Sequence, residues 1–457
     1  MAREPRLQVG GLAPALKRSG RGALGFSGRG ANALTASGVL VCGIVLALLA
    51  GINTKYAIFA GICILAIGLY AVAPLVVVAS AVPATLLVAR LGTSSSNLSV
   101  SDLVLFATTF AALPYLRLRE SPVMKRLLVV LVIYQAALLL TVVDNPYRAD
   151  LIEWFHELFL VGGSLIVGWV VAREGYAKAA LSAFLGGATF IALWTCEEAV
   201  RTHFQVVQLP LGMQKNFVGV MLMFAVVVAF LNPDWVGWEG KAYRVAMYIC
   251  VLGILASQSR QAMIGCALGI VVATARTRRM SGVSRRSKVL LAAMVPLVII
   301  AYVTVSQQFA SGNRFNSVHQ RQAWYHEALL VWHTSPWLGV GLRWWYTSRF
   351  PFSFQPPNGE LEMLSSAGIV GLAAILLLFG RSLVLLWRVP AAFGTLAFTA
   401  VLMRFAEGQL DIFWVTATSA IPWILAGISL GAMARSEHTE DSRPAVLPMR
   451  MSRTAWP

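Results

Sequence analysis

The chain has few charged residues for its length, and few of those are acidic. Charged side chains make up 12% of the 457 residues, with 20 Asp and Glu against 37 Lys and Arg. Hydrophobic residues make up 58%, which is more apolar surface than one soluble core could bury. The composition therefore excludes an ordinary soluble domain and predicts a polytopic membrane protein.

Cysteine is also scarce. Only five cysteines occur, and no two have the CxxC spacing of many zinc and redox sites. Most lie well inside apolar runs, where a thiol behaves as a small hydrophobic side chain. The sequence therefore predicts neither a disulfide framework nor a cysteine-ligated metal.

The excess of basic residues gives a formal net charge of +17. A nucleic-acid-binding protein gathers such charge on one folded surface, among aromatic side chains. Here most Lys and Arg lie instead in the tails and in short segments between apolar runs, where membrane insertion places them on the cytoplasmic side. We therefore expect a lipid bilayer, and no nucleic acid, as a partner.

Apolar runs long enough to cross a hydrocarbon core recur from residue 33 to residue 433. They predict an all-α integral membrane domain of about 12–14 transmembrane helices, with an early run near 73–91 and the last near 411–433. Residues 1–32 and 434–457 are predicted to be disordered basic tails. If the amino terminus is cytoplasmic, most Lys and Arg fall inside, both termini are cytoplasmic, and the loop 306–359 before the last three helices is extracytoplasmic.

The loop 306–359 is too polar to span a bilayer, yet it is unlike a flexible linker because it is rich in aromatic residues and arginine. We predict that it forms the ordered outer face of an active site. Polar residues of this loop and of other outer helix ends are candidate substrate-binding residues: Lys215, Asn216, Arg260, Arg314, Arg321, Arg343 and Arg404. Because guanidinium groups pair with phosphate oxygens and stay charged when half buried, cations from separate helices predict an anionic site.

Four local motifs resemble the O-antigen ligase and polymerase superfamily, bacterial membrane glycosyltransferases that take a glycan from an undecaprenyl diphosphate carrier. MQKNFVG (213–219) and SQSRQAMIG (257–265) resemble its Lys-Asn and Ser-Arg helix starts. RQAWYHEAL (321–329) with SPWLGVG (335–341) resembles its Arg-x-x-Trp and Pro-x-x-Gly-x-Gly segments. PPNGELEMLSSAGIVGL (356–372) resembles its Pro-His-Asn-Gly stretch and the Gly-x-x-Gly that follows.

The resemblance implies a metal-independent glycosyltransferase without a cofactor, acting at the outer face of the bacterial cytoplasmic membrane. The donor would be a polyprenyl-diphosphate-linked glycan and the acceptor a glycan or glycolipid. Arg260 and Arg321 would be catalytic residues that bind the diphosphate and lower the barrier to its departure, and position 357 would face the acceptor beside the substrate-binding residue Asn358. The chain departs from the family here, because Pro357 stands where a histidine is common.

Proline cannot transfer a proton, so another group must act as the base if the chain is catalytic. Candidates are Glu360, which we predict to be catalytic, and Glu362, His319 and His326. A glutamate at a helix start also serves simply as a partner of the helix dipole.

Two other functions stay open. A transporter or flippase of an anionic lipid-linked sugar would use the same cations, but it needs ionisable residues near the bilayer midplane, and the predicted helices contain almost none. Loss of the family histidine is also compatible with a non-catalytic member that acts in envelope polysaccharide assembly. The tryptophans between 324 and 345 are more typical of a membrane-interface belt than of a sugar-stacking surface.

Overall fold

The computed structural model describes residues 67–91, 98–281, 317–414 and 416–441, together with a few isolated positions. The predictions made for the tail 1–32, for residues 442–457 and for Arg314 lie outside the described residues.

The described part of the chain is almost entirely helical, which confirms the all-α prediction. Its α-helices are α1 (Pro74–Ala84), α2 (Val100–Ala112), α3 (Pro122–Asp144), α4 (Arg148–Leu158), α5 (Ser164–Arg173), α6 (Ala177–Arg201), α7 (Lys215–Leu231), α8 (Ala242–Ser257), α9 (Arg260–Ser281), α10 (Ser317–Thr334), α11 (Gly359–Trp387), α12 (Ala391–Glu407) and α13 (Ile421–Asp441). Two short antiparallel hairpins pair β1 (Arg90–Leu91) with β2 (Leu98–Ser99) and β3 (Gln208–Leu209) with β4 (Met213–Gln214).

Four helical segments are long and apolar enough to cross a bilayer, judged by length and composition within the described residues: Pro122–Asp144, Arg148–Arg173, Ala177–Arg201 and Gly359–Trp387. The second of these joins α4 to α5 through a π-helical turn at Phe159–Gly163. Shorter apolar helices accompany them, including α7 and α8. The chain is therefore a polytopic integral membrane protein.

Glycines let α5 and α13 pack with their backbones in contact. A Cβ atom on Gly168 would lie 2.2 Å from the carbonyl oxygen of Ile424, and one on Gly427 would lie 2.4 Å from that of Leu165. Gly431 follows Gly427 by one helical turn and meets the Trp169 carbonyl in the same way. This spacing of small residues is a common way to bring membrane helices together.

Two predicted helices differ from the structure. The run near 73–91 is helical only to Ala84 and then enters the β1–β2 hairpin. The last helix begins at Ile421 rather than near 411, because Pro422 lacks an N–H and is tolerated only in the first turn. Residues 408–414 consequently form a loop, which we call the 408–414 loop. At its other end α13 continues to Asp441, into the segment predicted as a tail.

The SPWLGVG segment after α10 packs on a break in α11. Gly368 has φ 63° and ψ −160°, which interrupts the helix, and the interrupted turn pairs with the segment through bonds such as Ile369 N–H to the Pro336 carbonyl at 2.9 Å and Gly341 N–H to the Ser366 carbonyl at 2.9 Å. A Cβ atom on Gly339 would lie 2.2 Å from the Ser366 carbonyl oxygen. The glycines of both motifs are therefore required for a backbone-to-backbone contact.

The loop that follows has a small hydrophobic core of its own, made of Val331, Val340, Trp344 and Trp345. Both tryptophans are buried, whereas Trp337 is 69% exposed. The prediction of a membrane-interface belt is therefore wrong for Trp344 and Trp345, whose position inside the folded loop depends on contacts that a sequence window does not show.

Candidate functional site

Asp411, in the 408–414 loop, connects the first turns of three helices. Its Oδ2 accepts a hydrogen bond from Asn216 Nδ2 of α7 at 2.9 Å and another from Gln261 Nε2 of α9. Its Oδ1 lies 3.9 Å from Arg321 Nη2 of α10. One carboxylate thus gathers residues that are far apart in sequence.

Three cations interact with one another here, and two of them also interact with this carboxylate. Lys215 interacts electrostatically with Arg260, Arg321 and Asp411, and Arg260 also interacts with Arg321. Lys215 and Arg260 are each the first residue of a helix, the end at which the helix dipole already carries positive potential. All three cations are partly exposed. We call Lys215, Arg260, Arg321 and Asp411 the cationic site.

The cationic site holds three positive groups and one negative group, and the Glu407 carboxylate also interacts with Arg321 and Asp411. Cations at helix amino termini repel both the dipole and one another, and a bound anion relieves this repulsion. Backbone N–H groups at the same helix starts and the guanidinium forks of Arg260 and Arg321 are suited to phosphate oxygens. The arrangement can therefore bind a multiply charged anion.

Arg404 lies behind the cationic site, where it is only 2% exposed. Its guanidinium donates to the Glu407 carboxylate, to the Phe413 carbonyl and, at 2.8 Å, to Ser419 Oγ. These contacts tie together the residues on either side of Asp411. Arg404 thus holds the 408–414 loop in place and does not itself face the partly exposed surface.

Asn358 and Glu360 lie at the start of α11 and contact the same loop. Asn358 Oδ1 caps the helix by accepting from the Leu361 N–H at 2.9 Å, and its Nδ2 donates to the Gln409 carbonyl at 3.2 Å. Glu360 Oε1 accepts from Gln409 Nε2 at 2.5 Å, while Oε2 is buried without a hydrogen-bond partner. Both side chains therefore fasten α11 to the 408–414 loop.

Pro357 is buried, and its carbonyl oxygen accepts a hydrogen bond of 3.4 Å from the Tyr325 hydroxyl. Burial raises the pKa of Tyr325; nearby Arg321 opposes this rise and Asp411 adds to it. Tyr325 therefore stays protonated and acts as a donor. Sequence reasoning overlooked this tyrosine, although it follows Arg321 by four residues and so lies on the same helical face.

The other candidate bases occupy different surroundings. His319 Nδ1 lies 3.2 Å from Gln322 Oε1 on α10, and His326 is exposed. Glu362 is only 2% exposed and accepts from Gln355 Nε2 at 2.9 Å.

Arg343 belongs to a separate, buried cluster. It is 1% exposed, adopts φ 57°, pairs with the Glu153 carboxylate, and lies 3.1 Å from His156 Nδ1. On the other side of the ring, His156 Nε2 lies 3.4 Å from Asp102 Oδ1. The structure therefore does not bring Arg343 to the partly exposed surface where Arg260 and Arg321 lie.

Two more carboxylates join this cluster. Glu157 Oε2 accepts from the Tyr134 hydroxyl at 2.5 Å, and both Glu157 and Glu362 interact electrostatically with Glu153 and Arg343. We call the cluster the buried acidic network; its ionisable members are Asp102, Glu153, His156, Glu157, Arg343 and Glu362.

The expectation of almost no ionisable residues in the helices is therefore wrong for the segment Arg148–Arg173, which contains Glu153, His156 and Glu157. Asp102 is the third residue of α2 and Glu362 the fourth of α11, so these two lie at helix starts rather than at midpoints. The sequence does carry a signal for the network: Asp150, Glu153 and Glu157 are spaced three and four apart, which places them on one face of α4.

Fold and site together define an all-α integral membrane protein in which helix starts and an ordered loop form a cationic site. Residues 245–376 match the family model of the O-antigen ligases, which confirms the resemblance to the O-antigen ligase and polymerase superfamily that three of the four motifs carry within this region. No curated protein gives a significant match to the chain. The matched region contains Arg260, Arg321 and the break at Gly368, whereas Lys215 and Asp411 lie outside it.

Proposed function

We propose that the chain is a glycosyltransferase that moves a preassembled glycan from an undecaprenyl or related polyprenyl diphosphate to an extracytoplasmic acceptor. The observation that carries the proposal is the convergence of Lys215, Arg260 and Arg321 from three helices around Asp411. Transfer breaks the bond between sugar and phosphate, so negative charge builds up on the departing diphosphate. Fixed cations stabilise that charge in the transition state.

The charge bias of the sequence supports the location of the site. Lys and Arg are concentrated in the segments assigned to the cytoplasm, which puts α10 and the loop after it on the outer side. A lipid-linked donor in the outer leaflet could then present its diphosphate to the cations while its chain stays in the bilayer. In this proposal both termini are cytoplasmic, and the membrane is the bacterial inner membrane.

The residues have different roles in the proposal. Arg260 and Arg321 bind the diphosphate and stabilise the leaving group, and Lys215 adds a third positive charge. Asn216 and Gln261 act through Asp411, whose Oδ2 they hold.

Three further residues, predicted from the sequence to bind substrate, support the site by packing. Asn358 and Arg404 hold the 408–414 loop and the start of α11. Arg343 anchors the outer loop in the buried acidic network.

A transfer assay tests the proposal. The full-length protein, purified and placed in proteoliposomes, is given a polyprenyl-diphosphate glycan with either a second lipid-linked glycan or a glycolipid as acceptor. Chromatography and mass spectrometry then score a new glycosidic product. A product with the first acceptor indicates a polymerase, and a product with the second a ligase.

The same proteoliposomes test the transporter alternative, which the buried acidic network favours because membrane transporters use buried ionisable groups. Movement of the donor across the bilayer without any product would support a flippase. Donor binding with neither product nor movement would support a non-catalytic role in envelope polysaccharide assembly. Either result would overturn the glycosyltransferase proposal.

A further inference from the structure

We infer that Asp411 is the general base that removes the proton from the acceptor hydroxyl, in place of the histidine that position 357 lacks. The inference rests on the proposed function and assigns a second role to the same site. Its basis is the orientation of the Asp411 carboxylate, the occupation of the competing carboxylates, and the distance to Arg321.

The two oxygens of Asp411 have different surroundings. Oδ2 is fixed by two side-chain amides, those of Asn216 and Gln261. Oδ1 lies 3.9 Å from Arg321 Nη2, an ion pair that is longer than a hydrogen bond. A carboxylate anchored through one oxygen, with the other beside a proposed substrate-binding arginine, has the geometry of a positioned base.

The competing groups are less well placed. Glu360 uses Oε1 to accept from Gln409, and its Oε2 is buried. Glu362 is 2% exposed and belongs to the buried acidic network. Tyr325 stays protonated because burial raises its pKa. Asp411 is 8% exposed as a residue and 12% exposed at its side chain, and it is the carboxylate that pairs with Arg321.

The chemical step balances with the groups already named. The acceptor oxygen attacks the anomeric carbon, and its proton passes to Asp411 Oδ1. The bond from the anomeric carbon to the diphosphate oxygen breaks, and its electron pair leaves with the diphosphate. Arg260 and Arg321 stabilise the charge that develops there.

The first test is Asp411→Asn, which keeps the shape of the side chain and an oxygen for the amide donors. We expect the transfer rate to fall at least about 100-fold, the usual contribution of a general base. Binding of undecaprenyl diphosphate, measured by isothermal titration calorimetry, should stay within about threefold of wild type or become tighter, since the change removes a negative charge. Glu198→Gln is the matched control, because Glu198 pairs with Arg201 away from the site.

A second variant tests chemistry rather than structure. Asp411→Ser leaves space beside Asn216 and Gln261, and added formate can supply a carboxylate there. We expect formate to restore transfer in proportion to its concentration in this variant and to have no such effect on wild type. A residue that only organised the site would not be rescued in this way.

Wild-type activity in Asp411→Asn would overturn the inference, and so would a loss of transfer that formate does not restore in Asp411→Ser. No product from wild type with any acceptor would instead overturn the proposed function.

Discussion

The cationic site and the buried acidic network are built from similar residues but differ in exposure and in the balance of charge. In the cationic site three partly exposed cations interact with one another, and Arg321 lies 3.9 Å from Asp411. In the buried acidic network Arg343 is 1% exposed and pairs with Glu153, and the Tyr134 hydroxyl donates to Glu157 at 2.5 Å. The first cluster therefore presents cations at a partly exposed surface, whereas the arginine of the second is paired inside the protein.

This difference distinguishes the roles of the arginines in the two clusters. Arg321 and Arg343 lie in the same aromatic loop region of the sequence, yet Arg321 is partly exposed beside Asp411 and Arg343 forms an internal ion pair with Glu153. A buried charge that loses its partner is strongly destabilising, while an exposed cation contributes little to stability. Mutations in the two clusters should therefore separate loss of activity from loss of fold.

The largest effect is expected for Arg260→Ala and Arg321→Ala. Each change removes a guanidinium from the diphosphate, so transfer should become undetectable, with a loss of at least about 100-fold. Expression, and the melting temperature in detergent, should stay close to wild type because both side chains are partly exposed.

Arg201→Ala is the matched control, since Arg201 is an arginine with 67% of its side chain exposed and pairs with Glu198. This control should transfer at the wild-type rate. Unchanged product from Arg260→Ala or Arg321→Ala would remove the distinction between the two clusters.

Arg343→Ala should have the opposite signature. It removes the guanidinium from the buried Glu153 carboxylate, which then keeps only its 3.1 Å contact with His156 Nδ1. We expect this loss to cost about 3–5 kcal/mol of stability. Thermal unfolding of the detergent-solubilised protein measures this, with Arg321→Ala as the comparison. An Arg343→Ala protein that is as stable as wild type and inactive would move Arg343 into the substrate site.

Sequence patterns predicted correctly those features of the fold that have a local signal in the sequence. Apolar runs predicted the all-α membrane fold, and the motifs around Arg260 and Arg321 predicted the family. The predicted helix starts at Lys215 and Arg260 agree with the structure, because each of these polar residues precedes a long apolar run.

The rest depends on contacts between distant parts of the chain. Asp411 was read as the start of an apolar run, and only the folded chain brings it to Asn216 and Gln261, which are 195 and 150 residues away. Arg343 looked like the other loop cations because neither its left-handed φ of 57° nor its burial has a signal in composition.

The position of Arg343 also depends on the contact between α11 and the SPWLGVG segment, and Gly368→Ala tests that contact. Gly368 has φ 63° and ψ −160°, a conformation nearly restricted to glycine, and an added Cβ would lie 2.3 Å from the Trp337 carbonyl carbon. We expect a loss of at least about 2 kcal/mol in stability. Activity should fall with it, because the loop carries Arg343 and leads into the start of α11.

Gly380→Ala is the control on the same helix, since a Cβ there would meet no atom within 4 Å. Alanine favours helix over glycine by about 0.5–1 kcal/mol, so this variant should be at least as stable as wild type. Equal stability of the two variants would show that the contact between α11 and the SPWLGVG segment does not hold the loop.

The smallest effect is expected for Lys215→Gln, which tests whether the three cations act on one ligand. Lys215 is partly exposed and interacts with Arg260 and Arg321, so its removal weakens the attraction for a diphosphate but also relieves repulsion between cations. We expect about tenfold weaker binding of undecaprenyl diphosphate, about 1.4 kcal/mol. Raising the salt concentration should weaken binding less in this variant than in wild type, because salt screens exposed charges. Lys178→Gln is the control, since Lys178 Nζ donates to the Gly237 carbonyl at 2.9 Å, away from the site. Binding by Lys215→Gln that equals wild type at low and high salt would mean that Lys215 does not share the ligand of Arg260 and Arg321.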